Sequence, residues 1–104
     1  MQVTYELAPR ALDDLDDIWQ YIAENNPRAA DRVESAILAA CSRLAKFPRL
    51  GASRNELTER QLRFWTLAKF PNYVIVYMPE IKPLRIVAIL NGNREIRPIL
   101  PHRT

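Results

Sequence analysis

The candidate catalytic side chains of this sequence are several arginines, one of the tyrosines, one of the glutamates and the single histidine. Cleavage of a phosphodiester needs such types, because one group must activate an attacking hydroxyl, another must stabilise the phosphate and a third must protonate the leaving oxygen. Near the C-terminus, His102 follows Pro101 and is predicted to be solvated rather than catalytic. No recognisable catalytic constellation joins the candidates, which are Glu56, Arg63, Tyr77, Arg85, Arg94 and His102.

The sequence predicts neither a metal site nor a cofactor. Cys41 is the only cysteine, so no internal disulfide can form, and no Cys/His cluster has zinc-ligand spacing. A small buried apolar role on a helix is predicted for it. Asp13, Asp14, Asp16 and Asp17 lie close together. Adjacent aspartates point around an exposed helix face, where the helix dipole favours them, and nothing nearby supplies further ligands.

Charge is divided unevenly along the chain. Residues 1–48 carry five Lys/Arg and eight Asp/Glu, a net charge of −3, whereas residues 49–104 carry ten and four, a net charge of +6. A basic half attracts polyanions or an acidic partner and speeds encounter, without choosing between them.

Two amphipathic helices are predicted in the acidic half. The first begins at Pro9, and Asn25-Asn26-Pro27 ends it and starts the second, with Asn26 as the cap and Pro27 as the first helical residue. The second ends at Phe47-Pro48. A short link makes the two antiparallel neighbours. Their apolar stripes are Leu12, Leu15, Ile18, Trp19 and Ile22 in the first, and Ala30, Val33, Ile37, Ala40, Leu44 and Phe47 in the second.

Strands are predicted on both sides of the helices. Alternation from Val3 to Leu7 indicates a short first strand, and three more follow a polar loop at 49–61. These are Leu62–Leu67, Tyr73–Met78 and Leu84–Leu90, and their short links predict an antiparallel meander. Because every residue of Tyr73–Met78 is apolar or aromatic, it should be a central strand covered on both faces. Residues 91–104 should form a short helix or tail.

The predicted fold is therefore α+β, with the order β-α-α-β-β-β. The helical hairpin should pack on one face of a small antiparallel sheet, because its stripe needs an apolar partner. Residues 1–104 are enough for one domain and too few for two.

Residues throughout the chain carry a resemblance to a known family. Individually each is weak, but their order and spacing are specific: Pro9, Ala11, Asp14, Leu15, Ile18, Trp19, Tyr21, Ile22, Asn26, Pro27, Leu44, Pro48, Gly51, Arg54, Glu56, Leu57, Arg63, Tyr73, Ile75, Tyr77, Ile86, Ile89, Gly92 and Arg94. With these residues the chain resembles the RelE/ParE superfamily of bacterial toxins, on the ParE (plasmid stabilisation protein) side, over nearly its whole length. That family's fold agrees with the predicted element order.

The resemblance implies the toxin of a type II toxin–antitoxin pair. A small antitoxin would wrap its C-terminal segment around the toxin, and operator DNA would be bound only through the antitoxin. ParE-type members poison DNA gyrase, whereas RelE-type members cleave mRNA in the ribosome. A third alternative is an inactive member kept as the antitoxin's partner.

Two departures from the ribonuclease pattern favour gyrase inhibition by binding, with no catalytic residues. Ribonuclease members commonly have Arg after the strand tyrosine, but Val74 follows Tyr73 here. They often have His or Tyr after the last strand, where this chain has Asn91-Gly92-Asn93-Arg94. If the chain were instead a ribosome-dependent endonuclease, Arg63, Arg85, Arg94 and Tyr77 would be its catalytic candidates.

Three groups of site residues follow from this interpretation. Arg94, Arg97 and Arg103 are predicted to contact the target. Arg54, Glu56 and Arg63 are predicted to form a polar cluster that fixes the 49–61 loop to the sheet. An exposed apolar patch should bind the antitoxin, and its candidates are Phe64, Trp65, Leu67, Phe70 and Leu100.

No targeting or membrane segment is predicted. Residues 1–5 lack a basic region followed by an apolar run, and no apolar run approaches the length of a membrane span. We therefore expect a cytoplasmic protein.

Overall fold

In a computed structural model, residues 4–54, 61–92 and 99–103 are described, His102 only in its backbone. Two helices and five strands lie in these ranges, followed by a 3-10 helix at Leu100–His102. Their bounds are β1 Tyr5–Leu7, α1 Pro9–Ala23, α2 Pro27–Lys46, β2 Ala52–Ser53, β3 Arg63–Thr66, β4 Tyr73–Met78 and β5 Leu84–Asn91. The α+β prediction and the β-α-α-β-β-β order are confirmed, with β2 as an addition inside the stretch predicted to be a loop.

The helical hairpin begins and ends where the sequence predicts. Asn26 caps α2, since its side-chain oxygen accepts a hydrogen bond from the Ala29 N–H at 3.0 Å. Pro27 is the first helical residue, and α2 stops at Lys46. Between the helices, Trp19 Nε1 donates to Asp31 Oδ1 at 2.9 Å. Capping residues therefore set the bounds of α2 locally, while packing decides which face is buried.

The buried stripes differ from the predicted ones at two positions. Leu12 is 48% exposed, and the neighbouring Ala11 is buried in its place. Phe47 is 58% exposed because it lies beyond the helix, with a non-helical φ of −132°. In the second half of α2, Cys41 is fully buried, and burial raises the pKa of its thiol to about 12. In α1, the smaller Ala11 thus takes the core position predicted for Leu12, and in α2 the buried stripe ends at Leu44.

The strand order is β1-β5-β4-β3-β2. Strands β3, β4 and β5 form the predicted antiparallel meander, whereas β1 pairs with β5 in parallel, with Tyr5 opposite Leu84. The register shifts between Val76 and Tyr77, so that Val87 is an extra residue in β5. As predicted, β4 is central.

Both faces of the sheet are buried. The helices cover one face over a core that includes Leu15, Ile37, Leu44, Ile75 and Ile86. On the opposite face, Val74, Val76, Ala88 and Leu90 pack with Leu62, Phe64 and Leu100. Ile99 and Leu100, which follow the last strand, therefore pack on the face that the helices leave open. Among the described residues, no helix has the length and apolarity needed to span a membrane.

We predict that Asn26→Ala lowers the free energy of unfolding by about 1 kcal/mol, because the Ala29 N–H loses its capping partner. Urea unfolding followed by circular dichroism measures the change. Asn25→Ala is the matched control, since that exposed neighbour does not occupy the cap position. An equal loss in both variants would contradict the capping role.

Candidate interaction site

A buried tyrosine and an arginine hold the turn that follows α2. The Tyr77 hydroxyl donates to the Pro48 carbonyl oxygen at 2.6 Å and accepts from the Gly51 N–H at 2.8 Å. Arg63 Nη1 donates to the carbonyl oxygens of Gly51 at 2.6 Å and Arg49 at 3.4 Å. We call this turn, residues 47–51, the pinned turn. Its backbone is fixed to β3 and β4, since Arg63 and Tyr77 lie opposite each other on those strands.

Close approach explains the glycine in the pinned turn. A Cβ on Gly51 would lie 2.6 Å from the Tyr77 hydroxyl oxygen, inside any normal contact distance. Burial raises the pKa of Tyr77, partly opposed by the Gly51 hydrogen bond and the Arg63 charge. The hydroxyl therefore stays neutral and can donate and accept at once.

The predicted polar cluster is only partly described. Arg63 holds the loop through backbone carbonyls. The Arg54 guanidinium lies over the Phe64 ring, 6.0 Å from its centroid. Glu56 lies outside the described residues. Arg63 thus binds backbone carbonyls of the loop, and Arg54 contacts an aromatic ring of β3.

Of the described catalytic candidates for an endonuclease, Arg63 and Tyr77 meet at the pinned turn and Arg85 has a separate partner. Tyr77 is fully buried, and Arg63 is engaged by the pinned turn. Arg85 Nη2 pairs with Glu6 Oε1 at 3.0 Å across β1 and β5. Arg94 lies outside the described residues, and the side chain of His102 is likewise not described. Tyr77 and Arg63 thus hold the pinned turn, and Arg85 takes part in a half-exposed ion pair between two strands.

Asp14 joins α1, β5 and the C-terminal residues. Its Oδ2 accepts from Arg103 Nη1 at 2.7 Å and from the Ile89 N–H at 3.0 Å, and its Oδ1 accepts from Arg103 Nη2 at 2.9 Å. Arg103 Nη1 also reaches the Val87 carbonyl oxygen at 3.3 Å. The side chains of Arg103 and Asp14 are only 8% and 15% exposed, and the hydrogen bonds that Arg103 donates to Asp14 raise the pKa of Arg103.

This pair corrects two predictions. Asp14 does not lie on an exposed helix face, because its carboxylate accepts a hydrogen bond from the Ile89 N–H of β5. That N–H lies past the last residue of β5 that pairs with β1. Arg103 is not a free cation for target contact, because its guanidinium is bound bidentately inside the protein. The remaining predicted target contacts, Arg94 and Arg97, lie outside the described residues.

A groove of about 470 Å³ opens beside the ion pair, between α1 and the ends of β4 and β5. Its walls combine the exposed Tyr21 and Asp17 with Tyr73, Asn91 and Ile99. Burial and the neighbouring Tyr21 raise the pKa of Tyr73. Such a mixed polar and apolar groove suits protein side chains. Across the described residues, no His, Cys, Asp and Glu group could hold a metal ion.

The predicted antitoxin patch is largely internal. Phe64, Leu67 and Leu100 are buried, the first and last of them in the core on the face opposite the helices. The prediction of an exposed patch is wrong for these three, because Leu67 is buried in the core beneath the helices and the opposite face of the sheet, with Phe64 and Leu100, is covered too. Trp65 and Phe70 are half-buried. In the described residues, the exposed large hydrophobic side chains are instead Leu12, Tyr21, Phe47 and Leu50.

Sequence reasoning missed Asp14, Phe47 and Leu50 as site residues. A signal existed for Phe47, since the residue before a proline avoids the helical conformation and its side chain leaves the stripe. Nothing local marks Asp14, whose partner Arg103 is 89 residues away.

Comparison with known proteins identifies relatives in sequence and structure. A family model described as the ParE toxin of the type II toxin–antitoxin system, parDE, matches residues 5–96. A solved structure, the chromosomal ParDE TA system from P. aeruginosa, superposes with a TM-score of 0.68 at 22% identity, covering 86% of this chain and 95% of that one. No curated protein matches.

We predict that Tyr77→Phe lowers the free energy of unfolding by about 1–3 kcal/mol, because the Gly51 N–H and the Pro48 carbonyl are left without their partner. Urea unfolding measures this. Tyr21→Phe, at a tyrosine that is 75% exposed, should change stability by less than about 0.5 kcal/mol. Equal effects at the two tyrosines would refute the pinning role.

We predict that Arg103→Gln costs about 3–5 kcal/mol, because the Asp14 carboxylate loses its bidentate partner in a poorly solvated site. Arg85→Gln breaks an ion pair whose side chains are about half exposed and should cost less than about 1 kcal/mol. Thermal unfolding of both variants compares them, and a small loss at Arg103 would show that the pair does not anchor the C-terminal residues.

Proposed function

Because the chain belongs to the ParE toxin family of type II toxin–antitoxin systems, we propose that it poisons DNA gyrase by binding and that a cognate antitoxin neutralises it. The chain is the toxin component of such a system. Its antitoxin partner follows from that membership, whereas the target is our proposal.

The observation that carries the gyrase proposal is the structural use of the endonuclease candidates. General acid–base catalysis needs a group within hydrogen-bond reach of the substrate proton. The Tyr77 hydroxyl is hydrogen-bonded to Pro48 and Gly51, and Arg63 donates hydrogen bonds to carbonyl oxygens of the same turn. Among the described residues, Tyr77 and Arg63 are therefore not available as an acid–base pair, which supports inhibition by occupying a surface of the target.

Target contact is assigned to Arg94 and Arg97, which follow β5. The chain is fastened on both sides of this segment. On one side, the Gly92 N–H donates to the Asn72 carbonyl oxygen at 2.6 Å, and on the other, Arg103 is bound to Asp14. In this proposal Arg103 positions the segment and is not itself a contact.

Antitoxin contact is assigned to Trp65 and Phe70, which keep exposed ring surface. Phe70 and Lys69 line a depression of about 460 Å³ against Asp31, Arg32 and Ser35 of α2. This depression mixes apolar and charged side chains, as an amphipathic partner segment requires. In this proposal the toxin contacts operator DNA only through the antitoxin. It acts in the cytoplasm, because gyrase is there.

The test is gyrase-driven plasmid supercoiling with the purified chain, with and without its antitoxin. We expect supercoiling to fall, linear DNA to accumulate and the antitoxin to reverse both. Arg94→Ala combined with Arg97→Ala should weaken inhibition by about tenfold or more, as loss of central interface cations does. Arg28→Ala combined with Arg43→Ala, at two exposed positions of α2 outside that depression, is the control and should leave inhibition unchanged.

Unaffected gyrase, together with cleavage of mRNA on programmed ribosomes, would overturn the proposal in favour of a ribosome-dependent endonuclease. Absence of both activities, with antitoxin binding retained, would instead indicate an inactive member of the family.

A further inference from the structure

A second surface lies at the far end of α2, where the pinned turn faces the turn between β4 and β5. Phe47 is 58% and Leu50 is 38% exposed, and Pro48 and Pro79 continue the apolar lining. The groove between the two turns has a volume of about 580 Å³. It shares no lining residue with the groove beside Asp14. We call it the turn groove.

The pinned turn, which forms one wall of the turn groove, is held in place by side chains of β3 and β4. Tyr77 and Arg63 bind the backbone of Pro48, Arg49 and Gly51 at 2.6–3.4 Å. In addition, the Leu50 N–H donates to the Phe47 carbonyl oxygen at 3.0 Å. An exposed phenylalanine on a fixed backbone loses little conformational freedom when a ligand covers it, so the surface is organised before binding.

Cations surround this apolar surface. Lys46, Arg49 and Lys82 line the turn groove with one acid, Glu80. Arg49 Nη2 lies 3.6 Å from Glu80 Oε1, and the two side chains are 75% and 65% exposed. Such an exposed pair is weak and can be exchanged for a ligand carboxylate. The groove therefore offers a positive rim around an apolar centre.

We propose that the turn groove binds an acidic peptide segment that carries a large apolar side chain, supplied by a protein partner. The apolar side chain packs on Phe47 and Leu50, while its acidic neighbours meet Lys46, Arg49 and Lys82. In peptide-binding grooves, apolar anchors contribute affinity, and a complementary charged rim orients the peptide.

The lining favours a peptide over a nucleic acid. Single-stranded nucleic acid needs aromatic platforms for successive bases, and this groove has one aromatic ring among aliphatic and prolyl groups. The proposal is independent of the gyrase target, since it uses neither Arg94 nor Arg97.

The experiment titrates the full chain into a short fluorescein-labelled peptide of glutamates and leucines and follows fluorescence anisotropy. We expect saturable binding that weakens with salt. Phe47→Ser combined with Leu50→Ser should weaken binding by about tenfold, as loss of apolar anchors does. Leu12→Ser removes a comparably exposed leucine on α1 and should leave binding unchanged. Urea unfolding of each variant confirms that it is folded.

Three results would overturn the proposal. These are equal binding of a peptide with serine in place of leucine, equal weakening by Leu12→Ser, and tighter binding of oligothymidylate than of the peptide. Lys46→Gln combined with Lys82→Gln tests the rim, and an unchanged salt dependence in that variant would also contradict it.

Discussion

The phenolic oxygen of Tyr77 sets the geometry on which much of this fold depends. It lies on the central strand, out of contact with solvent, and its two hydrogen bonds reach both sides of the turn that ends α2. A buried hydroxyl without partners is costly, so strand and turn can adopt only one relative position. That position fixes where α2 stops against the sheet and where the chain enters β2. Gly51 follows from the same constraint, because the tyrosine occupies the space of a side chain.

A second constraint arises from unequal strand lengths. β1 has three residues and β5 has eight, so β1 pairs with β5 only as far as Ile86. Beyond that point, the Ile89 N–H and the Val87 carbonyl oxygen are satisfied by Asp14 and Arg103. The Asp14 carboxylate and the Arg103 guanidinium thus provide the hydrogen bonds that a longer β1 would have made to β5. The same pair fastens Leu100 over the second core, which links the two faces of the sheet.

Local sequence signals were sufficient to predict the helices and the meander, but they were insufficient to predict which residues form the candidate site. Asn26-Pro27 and Phe47-Pro48 mark helix ends through backbone preferences of neighbouring residues, and the apolar run of β4 marks a strand with two covered faces. The burial of Phe64 and Leu100 depends on what covers the second face of the sheet, which the periodicity of a strand does not encode. Likewise, a tyrosine within an apolar strand gives no sign that its hydroxyl will hold a turn 26 residues earlier. Asp14 resembled its exposed neighbours because its partner is distant in sequence.

The parallel pairing of β1 with β5 has a consequence for how the molecule is made. Glu6 and Arg85 are 79 residues apart, and Asp14 and Arg103 are 89 apart, so residues that are synthesised at widely separated times must meet. Contacts of such separation form late, because the closure entropy of a long loop is lost before they contribute any stability. A nascent or prematurely terminated chain that lacks β5 has helices with no complete sheet beneath them. The complete sheet, and with it the surfaces described above, can therefore form only after β5 and Arg103 have been synthesised.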